Sequence, residues 1–156
     1  QWTHLMTRMI RPTTIHDVST LLSFIRELAK YEELEHEVVA DEQLLAQTLF
    51  GSSPQAEAIL VLEDNTPVGF ALFFSNYSTF LGKAGIHLED LFVLETHRGR
   101  GHGKALLERM QAIAQERGAG RLEWNVLDWN QPAIEFYESM GAKPVSGWTT
   151  YRMTWS

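Results

Sequence analysis

One stretch constrains this chain more than any other: His87-Leu88-Glu89-Asp90-Leu91-Phe92-Val93-Leu94-Glu95-Thr96-His97-Arg98-Gly99-Arg100-Gly101-His102-Gly103-Lys104. An apolar, β-prone run ends at a short turn, and a basic, glycine-rich segment opens into the helical pattern Ala105-Leu106-Leu107-Glu108-Arg109-Met110. A strand, a loop and a helix N-terminus therefore follow one another. A helix start offers backbone N–H groups without intrahelical partners and the positive end of the macrodipole. Glycines let that backbone approach a ligand oxygen closely. The stretch is expected to hold a phosphate or pyrophosphate.

The glycine spacing narrows the ligand. A P-loop requires glycine where Arg98 stands and a hydroxyl residue where Ala105 stands. A dinucleotide fingerprint starting at Gly99 requires glycine where Lys104 stands. What fits is Arg-x-x-Gly-x-Gly, carried by Arg98, Gly101 and Gly103. Alone, these residues suit an ordinary strand-to-helix turn with exposed cations equally well. Charge separates the two readings. The chain has 13 Lys and Arg against 20 Asp and Glu, a formal charge of −7, yet Arg98 to Lys104 holds three cations and no acid. An acidic body with one cationic loop favours a polyanionic cofactor and a cationic co-substrate. It disfavours nucleic acid, which needs a broad basic face.

At 156 residues the chain is expected to form one domain, 8–156, with Gln1 to Thr7 a disordered or expression-derived leader. No apolar run approaches the roughly 20 residues that span a bilayer. The polar Thr3, His4, Thr7 and Arg8 break any signal-peptide pattern. Cys is absent, which removes disulfides and thiol chemistry and makes the cytoplasm the default. The six histidines form no metal set, and none is expected.

In order, the pattern predicts a strand over Arg8–Pro12 and a helix capped by Thr13-Thr14 that runs to about Glu33. An acidic patch of Glu32, Glu33, Glu35 and Glu37 follows, either a solvated helix end or a site for a cation. A second helix starts at Asp41 and ends near Gly51. Ala58–Leu62 and Val68–Phe74 form a hairpin about the Asp64-Asn65 turn, with a loop over Ser75–Gly82. Along the strand Ala84–Val93, alternation puts His87, Glu89, Leu91 and Val93 on one face and Leu88, Asp90 and Phe92 on the other. Two adjacent acids in a buried strand each need a use or a partner. The helix after the loop ends at Gly118. Arg121–Leu127 is the next strand, Asn130 caps a short helix over Ala133–Met140, and Lys143–Trp155 supplies one or two terminal strands.

The motifs Leu88–Val93, Arg98–Gly103, Trp129-Asn130-Gln131-Pro132-Ala133-Ile134-Glu135-Phe136-Tyr137 and Gly141-Ala142, with Glu27–Glu32, resemble the GCN5-related N-acetyltransferase (GNAT) superfamily. The similarity is to its diamine branch, the spermidine/spermine and thialysine N-acetyltransferases. It implies an α/β fold, a mixed and mostly antiparallel twisted sheet of about seven strands flanked by four helices, commonly an intertwined homodimer. It implies acetyl-CoA as co-substrate, held by Leu91, Phe92, Val93, Arg98, Gly99, Arg100, Gly101, His102, Gly103 and Lys104, with Asn130, Gln131, Pro132, Ala133 and Tyr137. It implies Tyr137 and Glu89 as catalytic residues. Tyr31, Glu32, Glu89, Glu123, Trp124 and Asn125 are the implied amine-binding positions.

Chemistry agrees with these roles. An alkylamine with a pKa of about 10.4 is ammonium at neutral pH and must lose a proton before it attacks a thioester. Glu89, directly or through water, is the expected acceptor and cation anchor. A backbone N–H near Phe92 or Val93 is the expected oxyanion donor, and Tyr137 protonates the departing thiolate. His87 shares the Glu89 face as a potential relay, and His97 and His102 flank the phosphate loop. Ser78-Thr79-Phe80 and Ser146 replace acids and a tryptophan that polyamine acetylators carry, which points to thialysine, a lysine analogue or a small diamine rather than spermine. Polyamine, aminoglycoside or peptide-amine acetylation and a non-catalytic CoA-binding module are the alternatives.

Overall fold

The computed structural model describes residues 4–155. The chain divides into two compact units, one ending at Asn125 and the other beginning at Val126. Of the leader, Gln1 to Thr3 lie outside the described residues. His4 and the Thr7 N–H both bond Asp64, at 2.8 and 3.0 Å.

The first unit is a five-stranded sheet in the order β1-β2-β3-β4-β5, with β1 Arg8–Pro12, β2 Glu57–Glu63, β3 Thr66–Ser78, β4 Lys83–Val93 and β5 Leu122–Glu123. The first four strands pair antiparallel, and β5 joins β4 in parallel. Helices α1 Val18–Tyr31, α2 Glu42–Phe50 and α3 His102–Glu116 complete the unit. Local signals set their ends: Thr14 and Asp17 form a capping box on a 3-10 turn leading into α1, and Asp41 Oδ1 accepts the Leu44 N–H that opens α2.

α1 and α2 cover one face of the sheet. Val18, Leu21, Phe24, Leu45 and Leu49 pack with Leu60, Leu62, Phe70 and Phe92. Phe24, Phe70 and Phe92 form a ring trio with centroids 6.0 to 6.4 Å apart. Leu72 packs against this core. Its strand neighbour Phe73 turns the other way, where Arg117, just past α3, lies over its ring at 5.6 Å. The buried stripe Leu106, Leu107, Met110 and Ala114 is α3's own contribution to the interior.

The mixed α/β architecture is as expected, with differences of detail. β3 runs on to Ser78, four residues into the expected loop, because Ser75 to Ser78 keep their pairing with Ile86 to Lys83. β5 is two residues long. No strand forms over Lys143–Trp155 among the described residues, so the sheet has five strands rather than about seven. A further departure lies in β4. The partner of Leu72 is Asp90 but the partner of Phe73 is Leu88, so Glu89 is the extra residue of a β-bulge. Strict alternation through the acid pair therefore fails: Asp90 stays on the Phe92 side, opposite Leu72, while Glu89 is unpaired and its side chain is 55% exposed.

The second unit contains α4, Gln131–Ser139, capped by Asn130, whose Oδ1 accepts the Ala133 N–H with Pro132 in the first turn. Beyond it the chain is irregular, with Val145, Trp148, Tyr151, Met153 and Trp155 exposed.

Candidate active site

The end of β4, the following loop and the start of α3 form a continuous edge. β5 pairs with β4 only at Ile86 and His87, so from Leu88 to Val93 the β4 edge turned away from β3 carries no strand. Leu91 and Val93 turn their backbone groups to that side, with the Val93 carbonyl engaged by Arg98, while Phe92, paired with Phe70, turns its own towards β3. After Val93, the six consecutive N–H groups of residues 99 to 104 have no protein acceptor among the described residues. Gly99 and Gly101 make this possible with φ of +76° and +86°, values that L side chains adopt only with strain. Alternating left- and right-handed backbone at a helix start gathers N–H groups into an anion-binding concavity.

The loop's side chains are arranged differently from their charge pattern. Arg100 donates to Glu63 at 2.6 Å, and the buried ring of His102 lies 2.9 Å from the same carboxylate. Arg98 Nε donates to the Val93 carbonyl at 3.0 Å, and its guanidinium stacks over Tyr31 at 4.8 Å and near Phe92 at 5.6 Å. Lys104 is exposed, 3.9 Å from Glu108 one turn on. The positive field of the loop therefore rests on backbone N–H groups and the helix dipole more than on three free cations. His97 sits 3.6 Å from Glu63, and the His102 ring faces inward and presents only its N–H to the open side.

At the β4 bulge, three carboxyl groups converge electrostatically. Asp90 is pushed up to about 7, first by burial and then by the charges of Glu89 and Glu32. Burial also raises Glu32. Glu32 and Tyr31 stand at the end of α1, so the helix that covers the core delivers them to the β4 bulge. Glu35 goes elsewhere, into a surface groove with Arg26, Glu27 and Lys30, which divides the acidic patch. His87 Nε2 is 3.9 Å from Glu89, with its ring 5.1 Å from Phe74. Glu123 is already engaged, accepting from Asn76 at 3.0 Å and lying 3.6 Å from Arg121. Trp124 is half-buried beside it and Asn125 is exposed.

In the second unit, buried Asn130 fixes the start of α4 through its cap, while Gln131 and Pro132 are exposed and Ala133 is half-buried. Half-buried Tyr137 lies two turns along, 5.5 Å from the Phe136 ring. Two groups carry more than their sequence positions signalled. Asp90 stood out only as a second acid beside Glu89, and Glu63 only as a residue before a hairpin turn.

Comparison with known proteins decides the family. The family model for the Acetyltransferase (GNAT) family matches residues 21–142. The chain belongs to the GNAT family. It is 36% identical to an L-ornithine N5-acetyltransferase of Arabidopsis thaliana, over 97% of this chain and 86% of that one. It is 33% identical to the thialysine N-epsilon-acetyltransferase of Bos taurus, over 92% and 91% of the two chains. Among solved structures, an integron cassette protein from the mobile metagenome of V. cholerae superposes with a TM-score of 0.79 at 26% identity, covering 94% and 92%. This GNAT member is thus an N-acetyltransferase. Among its described residues no cluster of three or more His, Asp or Glu is arranged to hold a metal ion, and no helix is long and apolar enough to cross a membrane.

The charge state of Asp90 makes a prediction about the enzyme without ligand. A carboxyl raised in the folded state favours folding fully below its ordinary value near 4, and that contribution is lost as pH rises through about 7. At pH 8 wild-type Asp90 is ionised, half-buried and beside the charges of Glu89 and Glu32. Asp90→Asn is expected to raise stability there by about 2 kcal/mol, with a gain that shrinks to nothing near pH 4. Thermal melts at the two pH values check this; a parallel shift at both would assign the effect to packing.

Proposed function

We propose that this N-acetyltransferase moves an acetyl group from acetyl-CoA to the primary amine of a small diamine or diamino acid, such as thialysine, ornithine or a lysine analogue. The observation that carries the reading is the pairing of two features on one strand. Glu89 and Asp90, with Glu32 near, form a carboxylate site for an ammonium group, and the same β4 continues into the open edge and the six unpartnered N–H groups.

The reaction is a direct transfer with both substrates bound. The pantetheine arm pairs with the free edge over Leu91–Val93, and its pyrophosphate takes the N–H groups of Gly99 to Lys104, next to the start of α3. The ammonium docks at Glu89, which accepts its proton directly or through water. The amine nitrogen attacks the thioester carbon, a backbone N–H near Phe92 or Val93 stabilises the oxyanion, and collapse breaks the C–S bond. Tyr137, by its place in the family pattern, returns a proton to the thiolate; the second amine proton passes to solvent. Bulging of β4 at Glu89 supports its role, because it frees that carboxylate from the strand face while Asp90 stays packed.

The acceptor's length is supported by what is absent from the β3–β4 turn. Ser78 is buried with its Oγ accepting the Leu81 N–H, and exposed Thr79 and Phe80 carry no charge, so no distant carboxylate there anchors a long polycation. The relatives named for thialysine and ornithine point the same way. The exposed Trp148, Tyr151 and Trp155 of the irregular C-terminal segment support a homodimer in which this segment finds its partner on a second copy.

Release of CoA from acetyl-CoA, measured against thialysine, ornithine, lysine, putrescine, spermidine, spermine and an aminoglycoside, tests the reading. We expect the short diamines or diamino acids to give kcat/KM values at least about tenfold above spermine, since each unpaired charge on the longer substrate forfeits roughly 1.4 kcal/mol. A preference for spermine or the aminoglycoside would remove the short-amine assignment.

A further inference from the structure

The phosphate loop is tied to the opposite end of the sheet by a network, centred on buried His102, that the transfer reaction itself does not use. Arg8 and Glu63 are direct cross-strand partners on β1 and β2. Both reach the first residue of α3. Arg8 Nε donates to His102 Nδ1 at 3.0 Å, and His102 Nε2 is 2.9 Å from Glu63 Oε1. Arg8 also donates to the Arg100 carbonyl at 2.5 Å, and Arg100 bonds Glu63 Oε2 at 2.6 Å. The side chain of His102 is fully buried and that of Glu63 is 10% exposed.

The chemistry of the partners settles the histidine's state. Arginine has only donors, so Nδ1 facing Arg8 Nε–H must present its lone pair. The ring proton is then on Nε2 and is donated to Glu63. A doubly protonated ring would set two N–H groups head to head, so this site holds neutral imidazole in one tautomer. The hydrogen bonds from His102 and then Arg100, with the Arg100 charge, hold the Glu63 carboxyl below its usual range. Between the two anchored residues stands Gly101, whose backbone at φ +86° lies against Arg8: a Cβ there would come within 3.1 Å of the guanidinium. The conformation that gathers the free N–H groups is therefore clamped from beneath at residues 100, 101 and 102.

We propose that the Arg8–His102–Glu63 network is a positioning device for acetyl-CoA, holding the glycine loop in its anion-binding conformation before the co-substrate arrives. It rests on the acetyl-CoA reading of that loop. Preorganisation of this kind lowers the ordering cost of binding and leaves the chemical step alone. His102 touches neither substrate through its ring; it acts through the loop backbone.

Three variants test this: His102→Leu removes both bonds, His102→Asn keeps an acceptor for Arg8, and His102→Gln keeps a donor for Glu63. Kd for CoA by calorimetry and KM for acetyl-CoA are expected to rise about tenfold in the Leu variant and about threefold in the other two, the scale of one or two hydrogen bonds. kcat and the amine KM are expected to stay within about twofold of wild type. CoA binding that stays at the wild-type value in the variants overturns the inference, and so does a parallel loss of kcat and amine KM, which would mark a general structural role. If the Leu variant fails to fold, the Asn and Gln variants decide on the same criteria. If wild type itself does not bind CoA, the acetyl-CoA reading falls and takes this inference with it; binding by wild type with unaffected variants removes the inference alone.

Discussion

Replacing Glu89 by Gln is expected to lower kcat/KM for the amine by about 10²–10³-fold at neutral pH, the range in which a positioned general base contributes. Gln keeps the shape and the hydrogen-bonding reach of the bulged residue. It loses the charge that attracts an ammonium and the basicity that deprotonates it. The variant must then draw on the small fraction of free amine in solution, so its rate is expected to climb with pH towards the alkylamine pKa of about 10.4, while wild type levels off earlier. A pH–rate series on both proteins checks this. An E89Q enzyme within threefold of wild type at pH 7.5 would transfer the base role to Asp90, which sits next in the chain with a carboxyl raised to about 7.

Tyr137→Phe is expected to lower kcat by about 10²-fold with little change in either KM, because a phenol that protonates a leaving thiolate acts only after both substrates are bound. The loss is smaller than for Glu89, since a thiolate departs tolerably well unprotonated. Single-turnover and steady-state rates, with a melt to exclude unfolding, separate the outcomes. Unchanged kcat would make Tyr137 a packing residue of an amphipathic helix.

Much of this protein was legible from local signals. Capping residues placed the helix starts: Thr14 and Asp41 are caps in the structure as in the pattern, and Asn130 opens α4. These features depend on the residue and its near neighbours, which a sequence displays. The glycine loop was legible for the same reason, since positive φ at Gly99 and Gly101 is a property of the residue type. The terminal strands were not. Lys143–Trp155 alternates well enough for a strand, but a strand requires a partner edge, and alternation alone supplies none.

The sequence by itself determined the succession of elements, the family and the presence of two acids before a glycine-rich loop, because each rests on short-range pattern. Only the tertiary structure decided how those groups are used. The bulge separates Glu89 from Asp90 because β3 and β4 differ by one residue in register across Leu72 and Phe73. The basic loop spends Arg100 and the ring of His102 on Glu63, 37 and 39 residues away in the chain. Asp90 acquires its raised carboxyl from burial and from Glu32, delivered by a helix 58 positions earlier. Charge state and hydrogen-bond partner are properties of position in space, and they appear only when distant segments are folded against one another.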